Sequence, residues 1–131
     1  DIGAHFIIGL PGESREQIVA QTEQINTLGI DFIKFHQLQI YRSTPMATEW
    51  MEHPERFLFG NGDNKEEYLS PIIDILCRLD PEIAIERIAS TAPRHLLLHS
   101  PLCGVRTDTL RNSLIERMQK LQIKQGDLCS K

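Results

Sequence analysis

Ile7-Ile8-Gly9-Leu10-Pro11-Gly12-Glu13 is the stretch that decides how this sequence folds. It closes an apolar run that begins at Ile2, and it precedes a helix start in which Ser14 and Gln17 have the spacing of a capping box. Its two glycines allow positive φ angles or a close backbone approach to a ligand, and its proline stiffens the turn. The stretch therefore predicts a strand, a tight loop and a helix, in that order.

Two interpretations of this loop stay open at the level of the residues. At the carboxyl end of a parallel strand, the loop would lie where α/β proteins bind their ligands. It could equally be a tight structural turn. It is neither a Walker loop nor a dinucleotide-binding loop, because the G-K-[ST] ending and the G-x-G-x-x-G pattern are both missing.

The second predicted strand, residues 31–41, carries polar side chains in an otherwise apolar run. Alternation puts Lys34 and His36 on one face, and Gln37 and Gln39 on the other. Polar groups of this kind are costly to bury without partners. The strand therefore lines a wet cavity, or Lys34 and His36 pair with neighbours inside a structural network, and the sequence leaves both possibilities open.

The rest of the chain continues the alternation of strands and helices. We predict a short helix at 46–52, a helix capped by Asp63 or beginning at Pro71, a strand at 83–88, a very short strand at 96–98, a last helix capped by Thr107 or Asp108, and a frayed tail from Gln122. The apolar stripe of the middle helix is Tyr68, Ile72, Ile75, Leu76 and Leu79. This rhythm predicts an α/β fold with parallel strands.

Composition excludes several classes of function. The net charge is −4 and the pI is about 5.7, which gives no overall electrostatic footprint for nucleic acid. Cys77, Cys103 and Cys129 have no metal-ligand spacing, so neither a disulfide framework nor a metal site is predicted. No apolar run approaches the roughly 18 residues that a membrane span needs. A chain that opens on a core strand without a basic segment is expected to be an excised piece of a cytoplasmic protein without a signal peptide.

Two stretches resemble radical S-adenosylmethionine (radical SAM) enzymes. The string I-I-G-L-P-G-E is similar to the fifth-strand motif of that superfamily, GxIxGxxE, with matches at Ile7 and Gly9 and a looser one at Glu13. The string from Asp31 to Thr44 resembles the sixth strand of the YhcC-like group, which is related to the elongator catalytic subunit. One departure is Leu102-Cys103, where that group would have an aromatic residue.

The resemblance implies the C-terminal portion of a partial (β/α) barrel. Residues 1–60 would form its last βα units, and residues 61–131 a C-terminal α/β extension that packs on the barrel. The resemblance assigns four residues to the cofactor side: Ile7, Gly9, Glu13 and Gln39. The substrate-side candidates are Lys34, His36 and Arg42, whose types suit an anionic or polar group.

For a full-length protein, the resemblance implies S-adenosylmethionine and a 4Fe-4S cluster as cofactors. The cluster motif CxxxCxxC appears nowhere in this sequence, so the chain alone is expected to hold no cluster and to be inactive. The implied partners are the missing N-terminal part of the chain, an electron donor such as flavodoxin or ferredoxin, and, by kinship with the elongator catalytic subunit, a tRNA substrate. The alternative is a non-catalytic α/β interaction or nucleotide-binding domain.

Overall fold

The computed structural model describes residues 1–59, 65–102 and 104–130. Its five strands are β1 Gly3–Ile8, β2 Phe32–Gln37, β3 Ile40–Tyr41, β4 Ala84–Arg87 and β5 Leu97–His99. Its five α-helices are α1 Arg15–Ala20, α2 Thr22–Ile25, α3 Pro45–Glu52, α4 Lys65–Arg78 and α5 Thr107–Lys120. Short 3₁₀ helices occupy Pro54–Arg56 and Arg94–Leu96.

A three-stranded parallel sheet forms the centre of the fold, in the order β1-β2-β4. The chain reaches each successive strand through helices, as βαβ connections require. The mixed α/β class with parallel strands is confirmed. No helix in the described ranges is long and apolar enough to cross a membrane.

The predicted turn after β1 is built as the sequence indicates. Gly9 and Gly12 have φ angles of +98° and +81°, which L side chains rarely adopt. The Gly12 N–H donates to the Arg56 carbonyl at 2.8 Å. The capping box at the start of α1 is present, with the Ser14 hydroxyl accepting from the Gln17 N–H and the Gln17 side chain accepting from the Ser14 N–H. Short-range sequence rules are sufficient for this unit.

The second strand is shorter than predicted. β2 ends at Gln37, and Ile40–Tyr41 leaves the sheet to pair with β5, in antiparallel orientation. The Leu38 N–H still donates to the Ile8 carbonyl at 2.9 Å, but β1 offers no partner beyond the turn at Gly9. Without a neighbouring strand, the chain bends out of the sheet. The short strand predicted at 96–98 is present as β5, but it pairs with β3 and lies outside the parallel sheet.

The middle helix runs through its proline. Pro71 lies inside α4 and is buried, so the alternative that the helix begins at Pro71 is wrong. The predicted cap, Asp63, lies outside the described residues. The apolar stripe is confirmed, because all five of its residues are buried in the main core.

The main hydrophobic core lies between one face of the parallel sheet and the helices that pack on it. It includes side chains of β1, β2 and α1 together with those of α4 and α5. Members lie on both sides of residue 60: Ile8, Ile18 and Phe35 before it, and Tyr68 and Leu110 after it. The division into barrel units and an extension stays a prediction.

The C-terminal segment differs from the prediction. α5 begins at Thr107 after Arg106, which makes no side-chain capping hydrogen bond, so neither Thr107 nor Asp108 is its cap. The tail is not frayed: the N–H groups of Gly126 and Leu128 donate to the carbonyls of Leu76 and Cys77 at 3.0 and 2.7 Å. The last carbonyls of a helix lack partners within the helix, and the tail supplies them for α4.

Candidate functional site

The parallel sheet has one sealed face and one open face. Ile33, Phe35 and Gln37 of β2 are buried against the helices, and the residues between them are only partly buried. Aligned residues of parallel strands share a face, so the register extends the pattern to β1. The register with β4 shifts after Ile33, so that Lys34 aligns with Arg87. The ion pair between Lys34 and Glu86 places the Glu86 carboxylate on the same face. We call the following set the open sheet face: His5, Ile7, Phe32, Lys34, His36 and Glu86.

Ile7 and His36 lie side by side on this face. They are register partners in β1 and β2, and Ile7 is 44% exposed. The His36 Nδ1 atom is 2.9 Å from the Gln37 carbonyl oxygen. A carbonyl oxygen only accepts, so Nδ1 carries the proton and Nε2 remains an acceptor in the neutral ring. The open sheet face therefore presents an apolar side chain next to an imidazole nitrogen that can accept a hydrogen bond.

Lys34 is held in place by its neighbours. Its Nζ atom is 3.0 Å from a carboxylate oxygen of Glu86 on β4, and it lies 5.8 Å from the centre of the Phe32 ring. The Lys34 side chain is mostly buried, whereas that of Glu86 is 44% exposed, so the open sheet face carries a buried cation paired with a partly exposed anion. Sequence reasoning missed Glu86 and His5; their period-two positions on strands are the signal that could have found them.

The polar residues on the sealed side form a structural network. The Gln37 amide donates to the Ser90 carbonyl at 2.6 Å and accepts from the Ser90 N–H at 2.9 Å. Gln39 reaches the same carbonyl at 3.4 Å. These contacts tie the end of β2 to the segment that follows β4. The two glutamines thus form a buried polar network. Lys34 and His36 also pair with neighbours, Glu86 and the Gln37 carbonyl, but on the open sheet face, so both interpretations of these two residues stay open.

Three predicted site residues lie on other elements. Arg42 is exposed beyond β3, and its N–H donates to the Leu96 carbonyl at 2.8 Å. Glu13 lies at the start of α1, where Gln21 donates to one carboxylate oxygen at 3.3 Å and the other oxygen is buried without a partner among the described residues. Gln39 follows the end of β2. The structure thus brings Ile7, Lys34 and His36 together, and it places Arg42, Glu13 and Gln39 elsewhere.

The residues present fit the apolar part of a nucleoside-bearing cofactor. Ile7 offers an exposed aliphatic surface at the carboxyl half of β1. Gly9 lies two residues further along the chain, and a Cβ at that position would lie 3.1 Å from the Phe59 ring. The positive φ angle of +98° favours glycine at this turn, and any larger residue would also have to displace the Phe59 ring by a few tenths of an ångström. Of these features, the exposed aliphatic surface of Ile7 is the one on which a flat heterocycle could pack.

The residues present do not fit an iron–sulfur cluster. The described part of the chain has no group of three or more histidine, cysteine or acidic side chains placed to hold a metal. Cys77 is buried in α4, and burial, followed by the Asp74 carboxylate, raises the pKa of its thiol. A cluster needs thiolates, which a raised pKa disfavours. No step is therefore assigned to a cluster on this chain.

The sequence matches a family model over residues 30–120, the Radical_SAM C-terminal domain. The chain belongs to this family. Among curated proteins it is 32% identical to protein YhcC of Escherichia coli (strain K12) over 100 residues, which are 76% of this chain and 31% of YhcC. It is 27% identical to YtqA of Bacillus subtilis (strain 168) over 95 residues, covering 72% of this chain and 28% of YtqA.

A third relative, MJ0486 of Methanocaldococcus jannaschii, is 26% identical over 122 residues, which are 93% of this chain and 36% of MJ0486. The chain thus spans about a third of the length of the curated relatives it matches. The predicted resemblance to the YhcC-like radical SAM group is confirmed.

Proposed function

We propose that this chain supplies a wall of the reaction chamber in a radical SAM enzyme, with the open sheet face turned toward the reacting centre. The observation that carries the proposal is the grouping of Ile7, Lys34 and His36 on one face, while helices seal the other. Membership in the Radical_SAM C-terminal domain family supports it. S-adenosylmethionine, when bound and reduced, would supply a 5′-deoxyadenosyl radical.

Each residue of the face has a proposed task. Ile7 would pack on the adenine, because aliphatic surface buried against a flat ring is removed from water. His36 would accept a hydrogen bond from substrate through Nε2, since Nδ1 is already engaged. Lys34 and Glu86 would orient a polar substrate group, because the fixed ion pair offers both charges to it.

The remaining components would come from outside this chain. We propose that the cluster ligands and the other barrel strands belong to a longer protein, that a flavodoxin or ferredoxin donates the electron, and that the enzyme is cytoplasmic. A tRNA substrate is proposed by kinship with the elongator catalytic subunit, while the net charge of −4 gives it no support.

The coding sequence upstream of Asp1 provides the first test. A CxxxCxxC motif about 100 to 200 residues before Asp1 is expected, because a barrel domain has about that length. An open reading frame that extends that far without the motif would refute the proposal, and the non-catalytic α/β alternative would take its place.

The second test changes Ile7 in the full-length enzyme. Ile7→Asp should weaken S-adenosylmethionine binding at equal iron content, by about tenfold or more, because a carboxylate against an apolar ring loses its hydration without gaining a partner. Ile115→Asp is the matched control, since Ile115 is 43% exposed and lies on α5, away from the sheet. Calorimetric titration measures both affinities. Equal affinities in the two variants would contradict the assignment of Ile7.

A further inference from the structure

A cavity of about 270 Å³ lies at the carboxyl ends of β2 and β4. Three segments surround it: the end of β2 with the residues that follow, the segment after β4, and the loop before α5. Its polar and charged lining residues are Gln37, Gln39, Ser90, Thr91, Arg94, Ser100 and Arg106. This edge of a parallel sheet is where α/β proteins bind ligands.

The lining of this cavity has a charge opposite to that of the chain. Arg94 and Arg106 contribute two guanidinium groups, and the lining residues include no aspartate or glutamate. The whole chain carries 18 acidic and 14 basic residues. Two cations that line one cavity, against the single exposed carboxylate of Asp108 beside Arg106, create a local positive potential, which attracts anions into a concave site.

Neither arginine is neutralised by a strong partner. Arg94 makes no side-chain hydrogen bond or ion pair with any residue in the described ranges. Arg106 contacts Asp108 at 3.3 Å, but these side chains are 80% and 64% exposed. Ion pairs this exposed are weak, because water and salt screen the attraction between the two charges. Both guanidinium groups therefore remain available to a ligand.

Neutral donors complete the lining. The amide oxygen and nitrogen of Gln37 are both bonded to the Ser90 backbone. The Gln39 amide makes only a long contact of 3.4 Å to the Ser90 carbonyl. Ser100 is 3% exposed, and its oxygen accepts a long hydrogen bond of 3.5 Å from the Leu102 N–H. The Ser100 hydroxyl proton has no acceptor among the residues that the structure describes. A buried hydroxyl donor without an acceptor is costly unless a ligand satisfies it.

We propose that the Arg94–Arg106 cavity binds a phosphate group. Guanidinium groups bind phosphate through two parallel hydrogen bonds, and donors from three separate segments suit a tetrahedral acceptor better than a planar carboxylate. The volume is slightly below the roughly 300–1,000 Å³ of sites that enclose a whole small molecule. The cavity therefore fits the phosphate end of a larger ligand. The inference goes beyond the radical SAM proposal and requires neither its cofactor nor its cluster.

The experiment titrates inorganic phosphate, and then pyrophosphate, into the ¹⁵N-labelled chain. Saturable amide shifts are expected at Thr91, Ser100 and Gly104. The double variant Arg94→Gln/Arg106→Gln should bind at least about tenfold more weakly, because two charge-assisted contacts are lost. Arg111→Gln is the matched control, since Arg111 is exposed on α5 and does not line the cavity. A thermal melt verifies that all variants are folded.

Two further probes identify the source of the phosphate. A nucleoside 5′-monophosphate represents a small phosphorylated ligand, and a short RNA hairpin represents a nucleic-acid backbone. Competition of either probe with inorganic phosphate supports the proposal and names the source. Shifts that do not saturate, or equal affinity in the double variant and in Arg111→Gln, would overturn it. Neither result depends on the presence of an iron–sulfur cluster.

Discussion

Replacing Gln37 by methionine tests the contact that ends the central strand. The Gln37 side chain is 2% exposed and makes two hydrogen bonds to the Ser90 backbone, at 2.6 and 2.9 Å. Methionine has a similar length and no hydrogen-bonding group of that strength. The substitution therefore removes both hydrogen bonds with little change in volume.

The magnitude follows from the groups left behind. Each intramolecular hydrogen bond contributes about 1 kcal/mol, and a buried group left unsatisfied costs about 1–3 kcal/mol. Ser90 is only partly buried, so water relieves part of this cost. We expect Gln37→Met to lower the free energy of unfolding by about 2–3 kcal/mol.

Gln39→Met is the matched control. Gln39 makes a single contact of 3.4 Å to the same carbonyl, so its replacement should cost less than about 0.5 kcal/mol. Urea unfolding followed by circular dichroism measures both variants, with equal m-values required for the comparison. Equal loss of stability in the two variants, or no loss in Gln37→Met, would refute the reasoning.

Further substitutions at His36, Tyr68, Gly126 and Gly29 have expected outcomes. His36→Ala in the full-length enzyme should preserve 5′-deoxyadenosine formation and reduce substrate turnover by about one to three orders of magnitude, whereas a lower melting temperature with full turnover would make the residue structural. Tyr68→Phe removes a hydrogen bond of 2.5 Å to a buried carbonyl and should cost about 1–2 kcal/mol. Burial raises the pKa of Tyr68, so wild-type stability should fall as pH rises above about 10, more steeply than in the variant. Gly126→Ala, with φ +85° and a Cβ 2.8 Å from the Pro81 ring, should destabilise the chain more than Gly29→Ala, with φ +67° and open space, in parallel urea titrations.

The features that the sequence predicts correctly depend on near neighbours. The capping box at Ser14 and Gln17 needs a spacing of three residues, and the alternation along β2 needs a period of two. The apolar stripe of α4 needs a period close to 3.6. In each of these features, residues close together in the sequence are sufficient to determine where the element begins or which of its faces is buried.

The wrong predictions depend on partners that are distant in the sequence. The strand predicted at 31–41 ends early because β1 ends beside it, and Ile40 pairs with His99 of β5 instead. The tail is ordered because Gly126 and Leu128 meet the unpaired carbonyls at the end of α4. No local sequence pattern indicates either contact, since each depends on the position of an element more than 40 residues away in the sequence.

One part of the candidate sites could likewise be predicted from the sequence, and another part could not. The grouping of Lys34 and His36 follows from strand period, and Ile7 joins them through the parallel register of β1 and β2. The Arg94–Arg106 cavity could not be found from sequence, because its arginines lie in irregular segments and belong to no motif. Only the folded chain shows that they line one cavity.

The two candidate sites make different demands on the rest of a longer protein. A parallel sheet is normally covered on both faces, yet Ile7 remains exposed on the open sheet face, and β1 forms the outer edge of the sheet. The radical SAM site that we propose therefore requires further strands beyond β1 to enclose it. The residues that line the Arg94–Arg106 cavity belong to this chain and lie next to β4, at the opposite edge of the sheet from β1. Phosphate binding should consequently be measurable on these 131 residues, whereas cofactor binding should appear only in the longer protein.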